Sequence, residues 1–373
     1  MKFNRNSYIS TKRDAWVEIN LANLENNVLE IKKHLNKGVK LLAVIKADAY
    51  GHGAVMCAPV LLASGVDMFG VASIDEAQQL REAGIDSEIL VLGAVPVWAV
   101  EYAAQNNITI SVFSDEHIEA CRQTYVKTGI KPKVHIKLDT GMNRIGITKD
   151  KAQDFIKTVQ DSDFIDLKGI FTHFANAENR EKTQRQIDIF KSIISNIDTT
   201  DLTVHCANSA AIMTYDDIQF DMVRAGIILY GLMPDLAENP VFVPELKRVM
   251  GLKGRITNIH PVTKGDGVSY GHTYICADKA TVATIPIGYA DGVSRGLSNK
   301  IYATLNDKQI KQIGNITMDQ MMFDIMGVDA QEGDIVTLLD DTNTIDNWAQ
   351  LLNTINYELT CRLKVRLSRV YVR

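Results

Sequence analysis

Residues 43–53 read AVIKADAYGHG, and Leu41 and Leu42 precede them. An unbroken apolar run from Leu41 to Ile45 therefore ends abruptly on Lys46. Apolar residues without alternation describe a strand buried on both faces, as parallel strands beneath helices are. A lysine straight after such a strand loses several kcal/mol of hydration if it stays inside. Two remedies exist. The ammonium can snorkel to water, or the amine can stay neutral with a lowered pKa, as a Schiff-base lysine does. The stretch alone leaves both open.

The same kind of run recurs at 68–72, 89–92, 108–113, 134–138, 167–171, 202–206 and, more weakly, 222–225. Helical-period segments lie between the runs. The segment at 74–83 has an acidic first turn and a glycine stop, and Ser114 is a good N-cap for the next helix. The spacing of Ile187, Phe190, Ile194 and Ile197 predicts a helix over 182–197. Eight apolar strands alternating with helices predict a closed (β/α)8, TIM-like barrel.

Beyond Pro240 and Pro244 helical segments largely vanish. Strands are predicted at 255–262, 281–287, 300–305, 311–317, 321–324, 334–339 and 362–372, with a turn at Asn306-Asp307 and one helix at 344–353. The expected organisation is an α/β barrel over 1–244 followed by a mainly antiparallel β domain over 245–373. The N-terminal residues up to about 14 are free to pack on that second domain.

Composition narrows the classes. The chain has 373 residues, 46% hydrophobic and 23% charged, as soluble globular proteins do. A net charge of -5 gives no reason to expect nucleic acid or an anionic membrane as partner. The five cysteines show no metal-ligand spacing, so free thiols in a reducing, cytoplasmic setting and no metal are expected. The opening MKFNRNSYISTKRDAW lacks the apolar core of a secretion signal. No run approaches the length needed to span a bilayer.

Barrel sites lie at the C-terminal ends of the strands. Those ends carry Lys46, then Lys137-Leu138-Asp139, His173, Asn208-Ser209 and Arg224. Phosphate sites in such barrels form from the loops after strands seven and eight, here Asn208-Ser209 and Ala225-Gly226-Ile227. A lysine at strand one and a phosphate nest together suit pyridoxal phosphate. The second domain adds Gly267-Val268-Ser269-Tyr270-Gly271-His272, readable as a glycine-rich turn with an aromatic packed on it. A phenol with a pKa of about 10 serves as a base only where cations stabilise its anion.

Taken together, these stretches resemble the alanine racemase family, pyridoxal-phosphate enzymes with a barrel and a C-terminal β domain. The resemblance runs through AVIKADAYGHG, the stretch 138–146 (LDTGMNRIG), Thr172-His173-Phe174-Ala175, Ala207-Asn208-Ser209-Ala210-Ala211 and Val223-Arg224-Ala225-Gly226-Ile227. It continues in Val268-Ser269-Tyr270-Gly271, in 287–292 (IGYADG) and in 314–319 (GNITMD). It implies that Lys46 holds the cofactor and is one acid/base, and that Tyr270 is the other, on the opposite face of the substrate Cα. Two bases are needed because a planar carbanion must lose a proton on one side and regain it on the other. Tyr50, Ser209, Gly226 and Ile227 would contact phosphate with Asn208 nearby, and Arg224 would face the pyridine nitrogen. His173 would link Arg224 to Tyr270. Arg144 and Met318 would hold the substrate carboxylate, with Tyr289 and Asp319 shaping the entry. Lys137 matches a family lysine open to carbamylation that pairs with Arg144, the plain alternative being a pair with Asp139. The resemblance further implies a homodimer in which Tyr270 reaches the partner's barrel.

One departure stands out. Family members end on a stretch like SYRVPR, and the aligned residues here are Lys364-Val365-Arg366-Leu367-Ser368-Arg369. Val365 lacks the tyrosine hydroxyl, so one phosphate hydrogen bond is absent or supplied by water, and the limit on substrate size is weakened. An alanine/serine racemase of broader range is the nearest alternative. A related pyridoxal-phosphate decarboxylase and a non-catalytic pyridoxal-phosphate-binding protein are the others, and neither needs a second base such as Tyr270.

Overall fold

The computed structural model describes residues 13–373. Most of the N-terminal stretch read above for secretion and for packing on the second domain lies outside the described residues. The chain divides into two units. One holds Leu24–Ala49 and Ala54–Lys247; the other holds residues 13–23, Tyr50–Gly53 and Arg248–Arg373. The chain passes from the first unit to the second at Lys247/Arg248. The second unit also takes in Ala15–Asn20, a strand absent from the expectation.

The first unit is built on eight parallel strands: β1 (Lys40–Val44), β2 (Met68–Val71), β3 (Glu88–Val91), β4 (Thr109–Val112), β5 (Lys133–Asp139), β6 (Asp166–Phe171), β7 (Thr203–His205) and β8 (Met222–Ala225). Ladders run from β8 through β1 and on to β7, with Arg224 opposite Leu42. No ladder joins β7 to β8. Two backbone bonds close the ring instead, Asp221 N–H to the Val204 carbonyl (3.1 Å) and Arg224 N–H to the Ala207 carbonyl (3.0 Å). Each sequence run falls on one of these strands, the weak last one included. Leu41, Leu42, Ala43 and Val44 are all buried, which explains why the strands read as continuous apolar runs.

The helices form where their caps and periodicity dictate. Ser73 caps Ile74–Glu82 by accepting from Glu76 N–H, and Asp75 and Glu76 complement the dipole. Asp115–Thr128 stops at Gly129, whose φ of 72° suits a residue without Cβ. The predicted helix at 182–197 runs Arg180–Ile194, and its buried face uses Ile187, Phe190 and Ile193.

The second unit is a nine-stranded sheet. Its order is Asn258–Val262, Ala280–Ile285, Met321–Asp324, Lys308–Ile313, Tyr302–Leu305, Ile335–Leu339, Met250–Arg255, Ala15–Asn20, Ser368–Val372. Only the last pairing is parallel. Asn306 and Asp307, both at positive φ (48° and 60°), turn the expected hairpin. Two strand expectations are corrected. The predicted strand at 255–262 is two strands, broken where Thr257 N–H and Oγ1–H both bond the Thr284 carbonyl. The predicted strand at 362–372 is preceded by a helix, Asn356–Arg362, and begins only at Ser368. Short polar helices beside a strand carry no strong periodic signal.

One buried carboxylate ties three segments of this unit together. Asp291 is fully buried and accepts from Arg13 at 2.5 and 2.7 Å, from Arg366 at 2.8 Å and from Gly288 N–H at 2.8 Å. Its own carbonyl receives Lys364 N–H at 2.9 Å. Removing one partner of a buried ion pair costs about 3–5 kcal/mol, whereas an exposed pair contributes less than about 1 kcal/mol. Asp291→Ala should therefore lower stability in urea by about 3 kcal/mol. Lys157→Ala, which breaks the exposed pair with Asp161, should leave the midpoint nearly unchanged. Equal effects of the two would contradict this assignment.

Candidate active site

Lys46 lies two residues beyond the end of β1 and is half-buried. Beyond it the backbone does something the composition did not foretell. Ala47, Asp48, Ala49 and Tyr50 all have φ between 51° and 55°, a single left-handed turn without glycine. Left-handed helical geometry costs an L-residue roughly 1–2 kcal/mol. The turn persists because hydrogen bonds hold it: Ala47 N–H to Glu76 (2.7 Å), Ala54 N–H to Asp48 (2.7 Å) and Ala49 N–H to the Ile45 carbonyl (2.8 Å). Strain kept by such over-determination concentrates at functional sites. Tyr50, which ends the turn, is buried with its ring 6.1 Å from that of Tyr357.

The centre of the barrel group is Arg224, in the middle of β8 and 3% exposed. Its Nη1 donates to His205 Nδ1 at 2.9 Å. Its Nη2 faces the Thr172 and Cys206 carbonyls, both at 2.9 Å, and His173 Nδ1 at 3.2 Å. Among the described residues no carboxylate pairs with it, and Nε–H and the second Nη1 hydrogen meet no acceptor. Burial lowers its pKa to about 10, so the cation survives at neutral pH. Burial, then Arg224, Lys137, Arg144 and Lys46, hold the His173 pKa well below the usual histidine range.

Lys137 lies on β5, 3% exposed, with Nζ 3.3 Å from the Leu138 carbonyl and 4.8 Å from the Phe171 ring. Burial, reinforced by Arg224 and Arg144, pushes its amine well below the ordinary lysine value. Lys137 and Asp139 make no close ion pair, although the Asp139 carboxylate acts against the downward shift of the lysine. Asp139 Oδ1 instead accepts from the backbone of Gly141, Met142 and Asn143 at 3.0–3.1 Å and shapes the loop that carries exposed Arg144.

After β7, the Asn208 side chain caps Ser209–Thr214 by accepting Ala211 N–H at 3.0 Å. Gly226 N–H donates to Ser209 Oγ at 2.9 Å, which leaves the serine hydroxyl hydrogen to donate elsewhere. The amides of Ser209 and Ala210, and of Ile227 at the start of the 3-10 turn Ile227–Tyr230, open their helical turns without an intrahelical acceptor. Donors from both loops therefore gather where an anion is favoured.

In the second unit Tyr270 is 77% exposed. Its backbone is fixed: Asn315 Nδ2 donates to the Tyr270 carbonyl at 2.6 Å, and Ser269 Oγ donates to the Asn315 carbonyl at 2.7 Å. Exposed Tyr289 and Met318 sit on touching turns, with Tyr289 N–H on the Thr317 carbonyl (2.9 Å) and Ala290 N–H on that of Met318 (3.0 Å). Gly288 makes this approach possible, since a Cβ there would lie 2.2 Å from the Thr317 oxygen. Arg366 joins Asp319 at 2.5 Å to buried Asp291 at 2.8 Å, and neighbouring Val365 is 91% exposed. The structure thus brings together Arg224, His173 and Lys137 in one unit, and Tyr289, Met318, Asp319 and Val365 in the other.

Sequence reasoning missed His135, His205, Asn315 and Asp291. A signal existed for the first. His135, Lys137 and Asp139 alternate along β5 and share a face. Among the described residues no cluster of histidine, cysteine and carboxylate groups could hold a metal ion, and no helix is long and apolar enough to cross a membrane.

Comparison with known proteins follows this geometry. Residues 19–234 match the family profile "Alanine racemase, N-terminal domain" and residues 249–371 match "Alanine racemase, C-terminal domain". Alanine racemase 1 of Oceanobacillus iheyensis is 40% identical over 376 residues, covering 98% of this chain and all of that one. Alanine racemase of Desulfovibrio desulfuricans is 41% identical over 372 residues, with 98% and 100% coverage. The solved alanine racemase of Clostridium difficile 630 superposes with a TM-score of 0.92 at 40% identity, over 98% of this chain and 97% of that one. Its complex with cycloserine gives 0.89 at 39%, covering 98% and 96%. Both family profiles, in order and over both units, lead to one conclusion: the chain belongs to the alanine racemase family.

Proposed function

We propose that this protein interconverts L- and D-alanine with pyridoxal phosphate bound in the barrel. The observation that carries the reading is the buried Arg224 cation, held by four acceptors with donors to spare and no carboxylate beside it. Pyridoxal phosphate, when bound, supplies an aldehyde for an amine and a conjugated ring that takes up the electron pair of a deprotonated Cα. The residues present suit it. Lys46 offers the amine at the end of β1. Ser209, its helix-opening amides and Ile227 offer donors for the phosphate, with Asn208 and Gly226 shaping that loop pair and Tyr50 nearby in sequence. Arg224 donates a hydrogen bond to the ring nitrogen but does not give up its proton. With that nitrogen left unprotonated by Arg224, prompt return of a proton to Cα would be favoured over other fates.

Lys46 holds and moves a proton at one face of Cα, and Tyr270 from a second copy of the chain does so at the other. The exposure of Tyr270, Met318 and Val365 supports such a homodimer. His173, accepting from Arg224 on Nδ1, keeps its proton on Nε2 for the phenol oxygen, and the cations around it lower the cost of a phenolate. Arg144 and Met318 position the substrate carboxylate, and Tyr289 and Asp319 shape the entry. Lys137, with its amine shifted toward the neutral form, would add CO2, release a proton and pair as a carbamate with Arg144. Free cysteines, with the Cys57, Cys121 and Cys206 thiols pushed up to about 12 by burial, suit a cytoplasmic enzyme. Its D-alanine would feed peptidoglycan.

Incubation with L-alanine in D2O should yield Cα-deuterated D-alanine with no CO2. Release of CO2, or no exchange at Cα, would sink the proposal. The tyrosine missing at 365 gives a second expectation. Val365→Tyr should lower the serine-to-alanine ratio of kcat/KM by roughly tenfold, the scale on which pockets discriminate such small differences. An unchanged ratio would show that this position does not limit substrate size.

A further inference from the structure

Behind Arg224 lie two histidines that the reaction above does not use. His205 Nδ1 faces Arg224 Nη1 at 2.9 Å, and its Nε2 lies 2.9 Å from His135 Nδ1. Both rings are buried, and His205 stacks on Phe171 with centroids 4.8 Å apart and planes 1° from parallel. A guanidinium donates at every nitrogen and accepts at none. His205 Nδ1 must therefore carry a lone pair, and its proton sits on Nε2. That hydrogen is the one available between the two rings, so His135 Nδ1 accepts it and the His135 proton also sits on Nε2. A second proton on either ring would set N–H against N–H.

The charged groups around the string all act in one direction. Arg224 and Lys40 act on His135, and Arg224 and Lys137 act on His205. Burial is the larger cause for both, taking His135 to about 3 and His205 well below the ordinary histidine value.

We infer that His205 and His135 are positioning residues: a neutral string, with each proton on Nε2, that fixes the Arg224 guanidinium as a pure donor and leaves no group behind it able to pass a proton to the cofactor's ring nitrogen. This rests on the assignment of Arg224 to that nitrogen. The string orients Arg224 by accepting one Nη1 hydrogen. It does so without the carboxylate that usually accompanies a buried arginine, so the full positive charge remains directed at the ring.

The proton positions are readable directly, apart from activity. In the holoenzyme with 15N-labelled histidine, long-range 1H–15N spectra should show His135 and His205 as Nε2–H rings that do not titrate between about pH 5 and 9. His135→Asn and His205→Asn supply the assignments. An Nδ1–H ring at either position, or titration of either in that range, would overturn the inference. Variants test the role. His205→Asn keeps an acceptor oxygen for Nη1, whereas His205→Leu removes it. The leucine variant should lose about tenfold or more in kcat, and its cofactor absorbance should become pH-dependent, while the asparagine variant stays within about threefold of the parent. Equal losses in both, with unchanged spectra, would reduce His205 to a packing residue. Failure of the parent enzyme to exchange Cα in D2O would instead contradict the function and leave the proton positions standing.

Discussion

A buried arginine without a carboxylate is the constraint on which the rest of the site depends. Moving a charged group out of water is expensive, and proteins usually recover the cost with an opposite charge. Arg224 recovers it with carbonyls and neutral imidazoles instead. A carboxylate would have cancelled the positive charge that Arg224 keeps. Four neighbouring bases bear the mark of that choice. His135, His173, His205 and Lys137 are all shifted toward their neutral forms, in each case by burial first and the guanidinium second. The barrel makes the arrangement feasible, because alternate residues of neighbouring parallel strands converge on one interior.

The second unit solves a different problem. Tyr270, Tyr289 and Met318 are exposed, so their backbone must be fixed by other means. Asn315 clamps Tyr270, the Gly288 turn lies against Thr317 and Met318, and buried Asp291 gathers Arg13, Arg366 and the Gly288 amide. Rigid backbone beneath exposed side chains is what a residue needs if it is to act on another molecule.

Much of this was legible in the residues. The eight apolar runs marked the barrel strands because a doubly buried strand cannot afford polar alternation. Lys46, His173, Arg224 and Ser209 stood out because they end or interrupt those runs. Other features were not legible, for physical reasons. The left-handed turn at residues 47–50 uses two alanines and a tyrosine, which carry no signal for positive φ, and one aspartate, which carries only a weak one; the surrounding hydrogen bonds sustain it. His205 and Asp291 gain meaning from partners far away in sequence. The break at Thr257 and the helix Asn356–Arg362 lie in polar segments where tertiary contacts outweigh local propensity.

The central claim is that Lys46 of one copy and Tyr270 of another act on opposite faces of one Cα. Mixing the inactive variants Lys46→Ala and Tyr270→Phe, after unfolding and refolding together, tests it most directly. Half of the resulting dimers would be mixed, each with one intact site. Recovery of racemase activity to about a quarter of the parent level is the predicted result. No recovery, with mixed dimers demonstrably present, would contradict a site shared between two chains.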